Sequence, residues 1–166
     1  YEIAESPIQK GLIWTGSNDG PIYITRDDGE NWLNVTPNMP KGGRVQTIEP
    51  SRFAAGTAYA CVLLYQLGDS SAQLYKTENY GANWQRIVNG LPSNCPVRVL
   101  REDPNDKNVL FLGTEWGMYL SLDAGQSWRS FQQNLPVTPI TDMVIHRDDL
   151  VVSTMGRSFW ILDDIS

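Results

Sequence analysis

The sequence predicts an all-β fold built from repeated four-stranded units, and three observations carry that prediction. The first is a phrase that occurs three times: Thr25-Arg26-Asp27-Asp28-Gly29-Glu30-Asn31-Trp32, Thr77-Glu78-Asn79-Tyr80-Gly81-Ala82-Asn83-Trp84 and Ser121-Leu122-Asp123-Ala124-Gly125-Gln126-Ser127-Trp128. Its pattern is hydroxyl-x-Asp/Asn-x-Gly-x-polar-Trp, and a short β-branched or aromatic run precedes each copy. The second is spacing. Trp32, Trp84 and Trp128 stand 52 and 44 residues apart, a period typical of stacked supersecondary units the size of propeller blades. The third is punctuation: Pro or Gly recurs throughout, and no segment holds a 3.6-residue apolar period. Together they predict a partial β-propeller of four-stranded antiparallel blades, three full and a fourth with three strands.

Taken in order, a short strand over Tyr1 to Ala4 precedes Leu12 to Gly16 and Ile22 to Thr25. Ser17-Asn18-Asp19-Gly20 between the last two has the Asn-Asp-Gly content of a tight hairpin. Trp32 to Thr36 closes the first unit. The second runs Val45 to Glu49, Thr57 to Tyr65, Gln73 to Thr77 and Trp84 to Val88, with a long loop over Gln66 to Ala72. The third runs Val97 to Arg101, Val109 to Thr114, Met118 to Ser121 and Trp128 to Phe131. The fourth offers Ile140 to Ile145, Leu150 to Thr154 and Phe159 to Leu162, with no repeated phrase. The blades therefore span approximately 1–40, 41–93, 94–136 and, incomplete, 137–166, all in one propeller domain.

Each copy of the phrase has a local physics. The hydroxyl of Thr25, Thr77 or Ser121 and the carboxylate or amide of Asp27, Asn79 or Asp123 can bond backbone N–H groups across a tight turn. Gly29, Gly81 and Gly125 supply positive φ at little cost. The Trp then opens the next strand and buries its ring between sheets. All three Trp are expected in equivalent, largely buried places.

Composition narrows the function classes. With 166 residues and 41% hydrophobic content the chain can form a real core. A net charge of −6 argues against nonspecific nucleic-acid binding and against an anionic membrane surface. No apolar run reaches the length of a membrane span, and no signal-peptide pattern opens the chain. A single His (His146) excludes a multi-His metal site within the chain, and no metal or cofactor is expected. Cys61 sits in an apolar strand and Cys95 in a Pro-flanked loop, which reads as buried or free thiols more readily than as a disulfide.

The repeated phrase resembles the Asp box of sialidases, sortilin-type receptors and certain xyloglucan-degrading enzymes. Further stretches extend the resemblance across the chain: Val97-Arg98-Val99-Leu100-Arg101-Glu102-Asp103-Pro104, Leu112-Gly113-Thr114-Glu115-Trp116-Gly117 and Gly156-Arg157-Ser158-Phe159-Trp160-Ile161-Leu162-Asp163-Asp164. On these residues the sequence resembles the C-terminal half of the propeller in bacterial sortilin-like Asp-box (BNR) repeat proteins. The resemblance implies that each box joins the third and fourth strands of a blade, on the face away from the ligand. It also implies a large, usually exported parent, located outside the cell or in the periplasm, with further blades upstream of Tyr1 or in another chain.

The same resemblance places the loops between second and third strands on the ligand side. Asn18, Asp19, Asp69, Glu115, Trp116 and Arg157 then share one rim, with Arg44, Arg98 and Asp142 near the channel mouth. Glu115 beside Trp116 fits a sugar site, through stacking and hydrogen bonds; the plainer alternative is a turn whose Trp packs on the neighbouring blade. Glycoside hydrolysis needs two carboxylates flanking the scissile bond, which Asp19, Glu115 and Asp142 supply only in an assumed geometry. Sialidase chemistry needs an Arg cluster and a Tyr nucleophile, and no Tyr lies obviously with Arg98 and Arg157. The leading expectation is a noncatalytic module that binds protein or peptide. The rival is a glycan-active or glycan-binding propeller, and a third reading is a scaffold subunit whose open blades are its interface.

Overall fold

A computed structural model describes residues 2–165; Tyr1 and Ser166 lie outside the described residues, so the first predicted strand is seen from Glu2 onward. The first blade is β1 (Glu2–Glu5), β2 (Ile13–Gly16), β3 (Ile22–Thr25) and β4 (Leu33–Asn34). The second is β5 (Arg44–Pro50), β6 (Ala58–Leu63), β7 (Gln73–Thr77) and β8 (Gln85–Arg86), with one 3-10 turn over Tyr65–Leu67. The third is β9 (Val97–Glu102), β10 (Leu110–Thr114), β11 (Gly117–Ser121) and β12 (Arg129–Ser130). The fourth is β13 (Ile140–His146), β14 (Asp149–Thr154) and β15 (Phe159–Leu162). Within each sheet the strands lie in chain order and pair antiparallel. These are β-propeller blades, three of four strands and one of three.

Three apolar clusters fill the three blade-to-blade boundaries. Trp14, Ile24, Val35, Val45 and Ile48 join the first blade to the second. Leu74, Ile87, Leu100, Leu112 and Trp128 join the second to the third, and Phe111, Met118, Ile140 and Met143 the third to the fourth. Burial along the second strands reports the stacking. β6 and β10, flanked by blades on both sides, are buried at every position. β2 and β14 mix buried with half-buried positions, because each belongs to a blade covered on one side.

The repeated turns share one hydrogen-bond scheme. Thr25, Thr77 and Ser121 each accept at the side-chain oxygen from the N–H of Gly29, Gly81 and Gly125, all at 2.9 Å. Each hydroxyl donates to Oδ1 of Asp27, Asn79 or Asp123, which also accepts the N–H of Asn31, Asn83 or Ser127. The glycines hold positive φ, as the pattern requires, but so do the residues before them: Asp28, Tyr80 and Ala124 lie at φ 58, 58 and 57°. Their N–H groups donate to the carbonyls of Gly11, Gly56 and Asn108 in the loop of the same blade. That second anchor lies outside the repeated phrase, so the phrase does not announce it.

Gly125 shows what the turn demands. At its φ of 90° an added Cβ would stand 2.7 Å from Ile87 Cδ1 on the preceding blade. Gly125→Val combines a β-branched residue at positive φ with that clash and is expected to destabilise by at least about 1 kcal/mol. A thermal melt unchanged from the parent would show that the turn can relax.

The turn carboxylates give an acid-side prediction. Asp27 and Asp123 are held below the usual carboxylate range, first by the side chains of Asn31 and Ser127, then by those residues' backbone N–H groups. A carboxyl depressed in the folded state stabilises above its unfolded pKa, and the effect is lost as pH falls through the folded value. Asn79 cannot titrate. Melting temperature should therefore fall less steeply below about pH 4 in an Asp27→Asn, Asp123→Asn variant than in the parent. Parallel acid limbs for the two proteins would contradict the assignment.

One expectation about the repeat needs correction. Trp128 is 5% exposed, Trp84 is half-buried, and Trp32 is 45% exposed. The cause is the neighbour each indole meets. Trp84 Nε1 donates to Val35 O at 2.6 Å and Trp128 Nε1 to Ile87 O at 2.8 Å, each on the preceding blade. Trp32 belongs to the first blade, and no described residue flanks it on that side. Each Trp also stands just before its outer strand rather than inside it, since β4, β8 and β12 are two residues long.

Candidate functional site

An antiparallel meander sends alternate connections to opposite ends of a blade. The β1–β2 loop and the β3–β4 repeated turn share one face, and likewise in the second and third blades. The β2–β3, β6–β7, β10–β11 and β14–β15 loops share the other face with the loops that lead into each inner strand. Asn18, Asp19, Asp69, Glu115, Trp116 and Arg157 all lie in loops of this second face.

Irregular pairing shapes the inner strands near that face. The β5–β6, β9–β10 and β13–β14 ladders each shift register once, leaving Gln46, Arg98 and Thr141 as the extra residues of three bulges. Bulges re-aim side chains and recur beside functional sites. Neighbouring inner strands are tied here by the Thr47 hydroxyl, which donates to Arg98 O at 2.7 Å.

Arg98 and Glu115 meet. The guanidinium Nε of Arg98 donates to Glu115 Oε1 in an ion pair whose side chains are 16% and 8% exposed. Glu115 is fixed from behind, because its N–H donates to Pro96 O at 3.0 Å. Tyr65, from the 3-10 turn of the second blade, faces the same carboxylate. Burial, then the negative charge of Glu115 and hydrogen bonding to it, push the Tyr65 phenol up. A raised phenol stays protonated at neutral pH, so it serves as a donor rather than a nucleophile. Sequence spacing gives no sign of this neighbour, since Tyr65 is 50 residues from Glu115 and reaches it through the fold. Next to Glu115, Trp116 is 48% exposed, with its indole N–H donating to Asn94 O at 2.9 Å. The Trp of this turn therefore presents ring surface to solvent.

The other rim residues stand apart from this group. Asn18 and Asp19 are exposed in the β2–β3 hairpin, where Asp19 lines a shallow cleft with Met39 and Pro40. Asp69 caps its own loop by accepting the Ser71 N–H at 2.8 Å, and the Ser71 side chain first, then that N–H, lowers its pKa. Arg157 is exposed in the β14–β15 loop, whose backbone is closed by Arg157 N–H to Thr154 Oγ1 and Trp160 Nε1 to Arg157 O. Asp142 belongs to a second charge cluster, centred on Arg101. That guanidinium reaches Glu49 Oε2 at 3.2 Å and Asp142 Oδ1 at 2.8 Å, and its Nε donates to Met143 O at 2.7 Å. One side chain thereby links the inner strands of the second, third and fourth blades. Each of the two inner carboxylates considered for hydrolysis, Glu115 and Asp142, is thus occupied by its own Arg.

Cys61 and Cys95 are free thiols, both buried, and burial pushes both up. Neither has the exposed thiolate that nucleophilic chemistry needs. Among the described residues no helix is long and apolar enough to cross a membrane.

No protein-family model matches the chain. Two curated relatives do, each at 27% identity over 63% of the chain. They are an oligoxyloglucan-reducing end-specific xyloglucanase of Emericella nidulans and the vacuolar protein sorting/targeting protein 10 of Laccaria bicolor. The chain spans 13% and 7% of their lengths. Among solved structures, YCF48 bound to D1 peptide superposes over 99% of this chain and 56% of its own, with TM-score 0.65 and 14% identity. The GH74 xyloglucanase of Xanthomonas campestris covers 99% of this chain and 28% of its own, with TM-score 0.73 and 15% identity. The chain thus shares its blade architecture both with protein-binding propellers and with glycoside hydrolases.

Proposed function

We propose that this chain is a noncatalytic propeller module of a larger sortilin-like, Asp-box assembly, and that it recognises a protein or peptide segment on the face opposite the repeated turns. One observation carries the reading. The conspicuous carboxylate of that face, Glu115, is buried and committed to Arg98, while the groups beside it that meet solvent are the aromatic Trp116 and Tyr65. Exposed aromatics around a fixed charge pair suit recognition, because large rigid rings give contact area at little entropic cost. The solved relative with a bound peptide supports the class of partner. Further blades, upstream in the same polypeptide or in another chain, complete the ring, and the parent functions outside the cell or in the periplasm.

Trp116 beside Glu115 also supports a second reading, a glycan stacked on the exposed indole. A peptide array and an oligosaccharide array, probed with the parent and with Trp116→Ala and Tyr65→Phe variants, separate the two. Both substitutions are at exposed side chains and should leave the melt unchanged. Peptide binding that weakens at least about tenfold in Trp116→Ala, a loss typical of an interface hot spot, is the expected result. Turnover of any oligosaccharide by the parent would overturn the noncatalytic reading.

A further inference from the structure

The fourth blade has no outer strand among the described residues, and a largely apolar cleft lies beside the edge it leaves. The walls are Phe131, Gln133 and Leu135 from the end of the third blade, with Leu150, Trp160 and Leu162 from the fourth.

At the preceding boundary the same place is filled by a tryptophan. Ile87-Val88-Asn89-Gly90-Leu91-Pro92 follows one outer strand as Phe131-Gln132-Gln133-Asn134-Leu135-Pro136 follows the next. Trp128 donates its indole N–H to Ile87 O at 2.8 Å and its backbone N–H to Asn89 O at 2.9 Å. Trp84 makes the same indole bond to Val35 O, one boundary earlier. Phe131 and Gln133 stand where Ile87 and Asn89 stand, and among the described residues nothing donates to either carbonyl. Leu150 corresponds to Leu110, each lying the same number of residues from its bulge. In the filled version Leu110 and Ile87 lie against Gly125, in the turn that carries Trp128. The cleft is an unfilled copy of a socket that this chain fills twice.

The strand edge beside it matches. Leu120 and Tyr119 pair with Arg129 and Ser130, the two residues after Trp128. Register makes Ile161 and Trp160 their counterparts, and no described strand pairs with the outer side of β15. Unpaired backbone next to an apolar pocket suits strand addition, in which main-chain bonds give affinity and the pocket gives specificity.

The tryptophans of the chain are otherwise engaged. Trp14, Trp84 and Trp128 pack at the earlier boundaries, Trp116 bonds Asn94 O, and Trp160 is itself a wall. Trp32 leads into β4, which is already paired in its own blade. We propose that the cleft is a docking site for an extended peptide segment supplied from outside these 166 residues. Its tryptophan fills the socket and bonds Phe131 O, and its next two residues pair with Ile161 and Trp160. The inference rests on the reading of this chain as part of a larger propeller assembly, and it adds the site and the residue that the joining segment must bring.

Fluorescence anisotropy on the whole chain tests this, with a labelled peptide that copies the chain's own Ser121 to Phe131. Saturable binding is expected, weakened at least about tenfold by Trp128→Ala in the peptide, as for an interface hot spot. Ser130→Pro in the peptide should also weaken it, by removing a backbone donor from the added strand. Both changes leave the chain untouched, so they decide the matter even if a cleft variant such as Leu135→Ala misfolds. Bound peptide should slow amide exchange over 159–162. The Trp116→Ala chain should bind this peptide normally, which separates a failure here from a failure of the rim reading. Absence of binding at millimolar peptide, or equal binding of the parent and Trp128→Ala peptides, would overturn the proposal. So would a signal lost in Trp116→Ala, or a chain that elutes as a dimer with 159–162 already protected, since a second copy would then cover the edge.

Discussion

Arg98→Ala is expected to destabilise the protein by about 3–5 kcal/mol, because it leaves the Glu115 carboxylate buried without its counter-charge. For a chain of this size that corresponds to a fall in melting temperature on the order of 10 °C. The asymmetry of buried pairs sharpens the test. Removing both charges with groups of similar volume, as in Arg98→Met with Glu115→Leu, should recover most of the loss, since a buried pair and a well-packed apolar substitute are often close in free energy. The double variant is expected to keep the fold and lose ligand binding at the rim. A single Arg98→Ala variant that melts within about 2 °C of the parent, less than 1 kcal/mol by the same conversion, would mean that solvent screens the pair. Glu115 would then return to consideration as an available carboxylate.

That pair marks the boundary of what the residues disclose on their own. The three repeated phrases carry the blade plan, because each encodes a local turn whose bonds close within eight residues, from Thr25 to Trp32 and its equivalents. β3, β7 and β15 fall at the predicted bounds for the same reason: strand patterning is local and ends at turn residues. The outer strands shrink to two residues in all three blades, the first included, where Trp32 meets no other blade.

The site is less legible. Arg98 and Glu115 stand 17 residues apart, one in the bulge of β9 and the other in the loop after β10, and the bulge that turns Arg98 is a matter of register, invisible in composition. Tyr65 joins them from the 3-10 turn of a neighbouring blade. Arg101 is a similar case: it reads as one more charged strand residue, yet it bridges Glu49 and Asp142 on either side. Contacts between blades depend on the stacking of whole sheets, and no local pattern in the chain records them.

The stacking itself is tested by the tryptophans of the three repeated turns, for which a graded series is expected. Trp128→Ala removes a ring that is 5% exposed and a hydrogen bond to Ile87 O, and should be destabilising by about 3–5 kcal/mol. Trp84 is half-buried, packs edge-on to Trp14 with ring centroids 6.0 Å apart, and bonds Val35 O, so Trp84→Ala should fall between the extremes. Trp32→Ala should be near neutral, within about 0.5 kcal/mol, as for other surface positions, although Trp32 occupies the same place in the same turn. The turn hydrogen bonds are alike in all three, so the series isolates the preceding blade as the cause. The backbone carbonyls of Val35 and Ile87 receive the indoles above them, and Gly81 and Gly125 lie close against the same two side chains. The first blade holds the donor half of such a joint in Trp32, and a further blade presenting an aliphatic side chain and a free carbonyl would fit it. Supplying that blade should raise the cost of Trp32→Ala toward the Trp128 value. Equal losses at Trp32 and Trp128 in this chain alone would show that the rings act within their own blades, and the neighbour-dependent account of the repeat would fail.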